Sequence, residues 1–235
     1  LSDLKPDLLL TFAYGQLISD AILSLGKYKP LNLHGSLLPK YRGAAPIQYA
    51  LLNGEKETGV SLMEMVHEMD AGDVYASKSF AIEQSDNYTS LCDKISRCGL
   101  QLALEALPKY FKGELIPVKQ NQDEVTFTHM IKKEQEKLPL SSCESFINSV
   151  RMLSFTPGGY LLYKGQNLKI YQASHYSDEI KGKTGEILLA HKKQILLQCQ
   201  DGIVSLDLLQ RPGKKMMTPS DFNNGVRDFQ GEILL

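Results

Sequence analysis

The sequence predicts an α/β domain followed by a small all-β domain, and three observations carry that reading. From Leu8 to Phe111, short apolar runs alternate with stretches of helical spacing, as strands and helices of one sheet do. From Gly159 onward, five short strand-like runs are separated by turn signals, which suits a small barrel of the OB kind or a compact sandwich. Between them Lys119-Gln-Asn-Gln-Asp-Glu is polar and unpatterned, so the domains are expected at 1–118 and 141–235 with a linker over 119–140.

The elements follow in order. Leu8 to Ala13 reads as a buried parallel strand, Tyr14-Gly15-Gln16 as a turn, and Ser19 or Asp20 as the cap of a short helix through Leu25. Leu31 to His34 is the next strand. Pro46 suits a helix start, and Ile47 to Asn53 carries that helix to Gly54. Gly59 to Val66 alternates as a half-buried strand does, Glu68 to Asp73 is a loop, and Val74 to Ile82 a further strand. From Tyr88 to Phe111 the residues Leu91, Ile95, Cys98, Leu102 and Leu107 repeat at helical spacing. In the second domain, Ser142 to Leu153 is a capped helix. The strands there are expected at 159–163, 168–171, 185–189, 194–199 and 203–208, with hairpin turns at Lys164-Gly165 and Asp201-Gly202.

Composition sets bounds. The 235 residues are 43% hydrophobic and 23% charged with a net charge of −1, ordinary for a globular protein. Charge is uneven: residues 1–129 hold 12 Lys/Arg against 16 Asp/Glu, and residues 130–235 hold 14 against 11. That weak tilt fits a C-terminal half that meets something anionic. The four cysteines form no Cys-x-x-Cys pair, which argues for reduced thiols and against structural zinc. No apolar run approaches the roughly 20 residues of a membrane span, and nothing reads as a signal peptide. The expectation is a cytoplasmic protein (organellar matrix if the source is eukaryotic) with no membrane partner. The chain opens on Leu1 and runs almost directly into an apolar strand, so it reads as the back portion of a longer protein.

The chemistry concentrates in Asn32-Leu33-His34, the following Gly35-Ser36-Leu37-Leu38-Pro39, and Asp70. Side chains two apart on a strand share a face, so Asn32 and His34 aim together while Leu31 and Leu33 face the core. Polar side chains at a strand end are where open α/β sheets keep active sites. A carboxamide, an imidazole and a carboxylate together can move an acyl group to an amine without a metal or a covalent intermediate. The amide donates to the oxyanion, and histidine exchanges protons near neutral pH.

Residues 32–48 (Asn-Leu-His-Gly-Ser-Leu-Leu-Pro-Lys-Tyr-Arg-Gly-Ala-Ala-Pro-Ile-Gln), 54–61 and 69–73, with the tail from Asp201-Gly202 through Leu206 to Met216, resemble the folate-dependent formyltransferases. The resemblance spans nearly the whole chain. It implies a Rossmann-like formyltransferase domain with its front strands missing, then an OB-like β-barrel that helps hold tRNA. It further implies transfer of a formyl group from 10-formyltetrahydrofolate to the amino group of initiator methionyl-tRNA by a monomer that uses no metal. Asn32, His34 and Asp70 are then the catalytic trio, with Asp70 orienting the imidazole or relaying the proton; which of His34 and Asp70 takes the amine proton stays open. Phe12, Ala13, Tyr14, Gly15, Gln16, Leu17 and Ile18 are expected to line the folate pocket, with Ser36, Leu37, Leu38 and Pro39 beside them. Val66 and Gly72 would form the opposite wall. Arg42, Lys132, Lys133, Lys214 and Lys215 are candidate nucleic-acid contacts. The rival readings are formyl transfer to an amino sugar nucleotide, hydrolysis of the same folate, and an inactive tRNA-binding fragment.

Overall fold

The computed structural model describes residues 2–16 and 18–235; Leu17, one of the expected pocket residues, lies outside the described residues. The chain divides into two compact units, one holding most of the chain up to Met130 and the other mainly Ile131–Leu235. The α/β-then-barrel class expected from the sequence is what is observed.

In the first unit, β1 (Leu10–Phe12) is followed by α1 (Asp20–Leu23), β2 (Leu31–His34), β3 (Arg42–Gly43), α2 (Pro46–Leu52), β4 (Glu57–Glu64), β5 (Val74–Ala81), α3 (Tyr88–Phe111) and β6 (Phe127–Thr128). The main sheet runs β1-β2-β4-β5. Among the described residues of this sheet only β1 and β2 are parallel; β4 lies antiparallel to both its neighbours. Helix α3 lays Ile95, Cys98, Leu102 and Ala106 over Leu31, Leu33, Val60 and Leu62, one face of the sheet. Burying that apolar stripe is what holds a 24-residue helix to the sheet.

Two strand expectations need correction. β1 is not buried: Leu10 and Phe12 are 37% and 36% exposed, because β1 is the outer strand of the described sheet and only β2 flanks it. β4 does not alternate between core and solvent, since Gly59 to Met63 is buried without interruption. Its second face carries Ser61, whose hydroxyl donates to the Ser36 carbonyl while accepting from Leu38 N–H and Ser77 Oγ. A serine so fully bonded can be buried at no net cost, which a hydropathy pattern does not register.

The polar stretch after Val118 is not loose chain. Val118 pairs with Val74, Gln120 is 8% exposed, and β6 pairs in parallel with β3. The stretch up to Met130 belongs to the first unit and Ile131 onward to the second, which also takes in Leu51–Gly54 and Asn87–Thr89.

The second unit begins with α4 (Cys143–Met152), capped by the Ser142 hydroxyl on Ser145 N–H. Then come β7 (Gly159–Tyr163), β8 (Gln166–Ser177), β9 (Ile187–His191), β10 (Gln194–Gln198), β11 (Ile203–Gln210) and α5 (Pro219–Gly225). The antiparallel order is β7-β8-β11-β10-β9. Lys164 and Gly165 both adopt positive φ, as a two-residue hairpin turn requires. The last residues close the sheet. Leu235 and Leu162 exchange backbone hydrogen bonds at the β7 edge, while Glu232 and Leu234 bond Ile187 and Gly185 at the β9 edge. A barrel results, with no open strand edge at that seam.

Candidate active site

Strand β2 positions the first two groups. With Leu31 and Leu33 turned to α3, Asn32 and His34 fall on the opposite face, across from Met63 and Ser61 of β4. His34 is 6% exposed. Its Nε2 lies 2.8 Å from the Tyr41 carbonyl oxygen. A carbonyl only accepts, so Nε2 carries the hydrogen, and in the neutral ring Nδ1 keeps the lone pair. That Nδ1 faces Asp70 Oδ2 at 3.6 Å. Both atoms are acceptors, and the gap exceeds hydrogen-bond length. A proton arriving at Nδ1 therefore meets a carboxylate already in place to stabilise the imidazolium.

Asp70 comes from the β4–β5 loop and is held on all sides. Its φ is +50°, a left-handed conformation that aspartate tolerates better than most residues. Its Oδ2 accepts from Gly43 N–H at 2.8 Å. Its backbone carbonyl and that of Gly72 accept from the two amide hydrogens of Gln120 at 2.8 and 2.7 Å. Gln120 Oε1 accepts from Arg42 Nε at 2.9 Å. Arg42 is 4% exposed, so it cannot reach a nucleic-acid phosphate; that expectation is corrected, because pairing into β3 pulls the guanidinium inside.

The expected pocket residues separate into groups. The Phe12 ring packs against Gly99 of α3, on the helix side of the sheet, which leaves its backbone as the part that could meet a folate. The parallel register instead pairs Thr11 with Asn32 and puts them on one face. Ala13, Tyr14, Gly15 and Gln16 form an exposed turn with positive φ at Ala13 and Gly15, and Ile18 is half-buried. Ser36 is buried and donates to the Lys40 carbonyl, so it braces the loop. Leu37 packs on Gly59. Leu38 and Pro39 line a recess of about 360 Å³ with Val74–Ser77 and Val118–Asn121, a lining that includes neither Asn32 nor the 13–16 turn. Val66 is 40% exposed. Gly72 is there for want of a side chain, since a Cβ would collide with the Glu64 carbonyl. Lys132, Lys133, Lys214 and Lys215 are all exposed.

Sequence reasoning missed Thr11, the Tyr41 carbonyl, the Gly43 N–H and Gln120. A hydroxyl inside the apolar run Leu8–Phe12 was a signal for Thr11. Gln120, one of several amides in a polar run, offered none. Among the described residues no group of three or more His, Cys, Asp or Glu is placed to hold a metal ion, and no helix is long and apolar enough to cross a membrane.

Comparison with known proteins places this geometry. Residues 1–107 match the formyl transferase domain model, and residues 130–227 match the formyl transferase C-terminal domain model. A methionyl-tRNA formyltransferase of Lactobacillus gasseri is 42% identical over 226 residues, which are 96% of this chain and 72% of that protein. The structure of HypX from Aquifex aeolicus in complex with tetrahydrofolic acid superposes with a TM-score of 0.71 at 24% identity, covering 97% of this chain and 40% of that one. WlaRD, a sugar 3N-formyl transferase, superposes with a TM-score of 0.69 at 18% identity, covering 92% and 77%. With both of its halves matched, and with relatives 42% identical over most of its length, the chain belongs to the formyl transferase family.

Proposed function

We propose that this protein transfers the formyl group of 10-formyltetrahydrofolate to the α-amine of the methionine carried by initiator tRNA, a step of translation initiation in the cytoplasm. The observation that carries the reading is the 3.6 Å approach of His34 Nδ1 to Asp70 Oδ2, with Asn32 on the same face of β2 as His34. It is joined by 38–42% identity over most of the chain to proteins named methionyl-tRNA formyltransferase. The amine attacks the formyl carbon, the new C–N bond forms, and the oxyanion takes a hydrogen bond from the Asn32 amide. His34 Nδ1 accepts the amine proton, and the imidazolium is stabilised by Asp70. Collapse breaks the bond between the carbon and N10 of the folate, which leaves carrying the proton. The exposed backbone of Ala13–Gln16 and the Val66 wall would receive the pterin. Lys132, Lys133, Lys214 and Lys215 would meet tRNA phosphates, which position the substrate without reading sequence.

The test is formylation of charged initiator tRNA with 10-formyltetrahydrofolate, followed by mass analysis of the released aminoacyl group. The wild-type chain should yield formylmethionine. Asn32→Ala, His34→Ala and Asp70→Ala should each lose at least a hundredfold in kcat, the scale on which oxyanion donors and acid–base groups act. Turnover of all three within threefold of wild type would overturn these roles. Formylation of an amino sugar nucleotide but not of methionyl-tRNA would move the substrate assignment.

A further inference from the structure

We infer that Thr11 is a positioning residue for the formyl transfer, selecting which end of the Asn32 carboxamide faces the reacting carbonyl; the inference rests on the role proposed above for Asn32. An asparagine amide serves an oxyanion only when its nitrogen points there, because its oxygen would repel the developing charge. Its two ends are nearly equal in size, so shape alone selects neither. Here Thr11 Oγ1 lies 2.8 Å from Asn32 Oδ1 and donates to it. The register makes the two residues direct partners across the parallel β1–β2 pair of the main sheet.

The same hydroxyl lies 3.3 Å from Met65 Sδ. Turning the amide over would have Asn32 Nδ2 donate to Oγ1 and leave the hydroxyl proton to the thioether. A thioether is a weak acceptor, so that state is disfavoured. With Oδ1 occupied, Nδ2 has no hydrogen-bond partner among the described residues and remains available to the substrate. Thr11 thus prepares the donor before substrate arrives, and preorganisation of this kind is what oxyanion stabilisation depends on.

The experiment compares Thr11→Val, Thr11→Ser, Asn32→Ala and the Thr11→Val/Asn32→Ala double variant in the full chain. Valine keeps the shape and removes the hydroxyl; serine restores it. Thr11→Val should lower kcat about tenfold, short of the ~10²–10³ that loss of an oxyanion donor costs. KM for the folate should move less than twofold, and Thr11→Ser should recover most of the rate. In the Asn32→Ala background, Thr11→Val should cost nothing further, because the group it orients is gone. A Thr11→Val enzyme within twofold of wild type, a Thr11→Ser enzyme as slow as Thr11→Val, or losses that multiply in the double variant would each overturn the inference. A second readout does not need turnover: the Asn32 side-chain amide should give one ¹H–¹⁵N pair in wild type and a shifted or doubled pair in Thr11→Val. An unchanged pair overturns the inference even where formyl transfer fails, whereas absent turnover with the expected amide change counts against the function alone.

Discussion

The side chain of Gln120 reaches across 50 residues of sequence to donate to the Asp70 backbone carbonyl at 2.8 Å, and with its second amide hydrogen it ties Gly72 at 2.7 Å. Asp70 is thereby fixed from behind by one residue while Gly43 N–H fixes its carboxylate from the front. Arg42 completes the brace by donating Nε to Gln120 Oε1; its Nη2 has no partner among the described residues.

Gln120→Leu should therefore act on both stability and rate. It leaves two carbonyls and a buried guanidinium without their partner, at about 1–3 kcal/mol for each buried group left unsatisfied. The chain should unfold at lower urea, and kcat should fall because the loop no longer holds Asp70 against His34. Loss of urea resistance with kcat unchanged would confine Gln120 to scaffolding.

Asp70 allows its charge to be separated from its backbone role. Asparagine tolerates the φ of +50° and keeps an oxygen for Gly43 N–H, but it removes the charge facing His34 Nδ1. Asp70→Asn should keep its melting temperature within a few degrees and lose about a hundredfold or more in kcat. Asp70→Ala should lose the same activity and additionally about 1–2 kcal/mol, because alanine lacks the short polar side chain that makes the left-handed region tolerable and leaves Gly43 N–H without its acceptor. Equal rates for Asp70→Asn and wild type would remove the carboxylate from the mechanism.

Asp86 predicts how the first unit responds to acid. Burial pushes its pKa up, but hydrogen bonds from Lys94, the Glu83 N–H and Ser90 outweigh it, and the carboxyl is held below its ordinary 3.8. A carboxylate lowered by folding contributes stability that is fully present above its unfolded value and lost as pH falls through the folded one. Asp86→Asn should thus be less stable than wild type from pH 7 down to about pH 4, with the difference shrinking below that. Urea midpoints at pH 7, 5, 4 and 3 measure it. A difference that stays constant to pH 3 would mean the ion pair with Lys94, 2.6 Å long, adds nothing.

Much of this fold was legible because local signals and tertiary packing agree. Helix α3 spans Tyr88–Phe111 as its spacing indicates, β2 spans Leu31–His34, and Lys164-Gly165 makes the expected hairpin. The failures share a cause. Ser61, Arg42 and Gln120 are polar residues taken inside by hydrogen bonds to partners 25, 78 and 50 positions away, and periodicity carries no record of such partners. The face that Phe12 takes was not legible for a related reason: strand alternation is local, but which face meets the helix is set by the register with β2. The shared face of Asn32 and His34 could be read because strand geometry alone fixes it. Asp70 needed the resemblance, since its left-handed turn and its brace come from elsewhere in the chain.

The exposed Lys214-Lys215 pair follows β11 in a turn where Lys214 N–H donates to the Arg211 carbonyl and Gln210 Nε2 donates to the Lys214 carbonyl. Those bonds hold the backbone and leave both ammonium groups outward. If they meet tRNA phosphates, each contact releases counterions, and affinity should fall steeply with salt. The Lys214→Ala/Lys215→Ala variant should raise KM for methionyl-tRNA severalfold, leave KM for the folate and kcat within twofold, and reduce the slope of log affinity against log salt by about one to two. Steady-state kinetics at 50, 100 and 200 mM salt with the same charged tRNA decide the matter. An unchanged slope would leave these lysines as solvated surface and return the search for the tRNA face to the other basic side chains of the second unit.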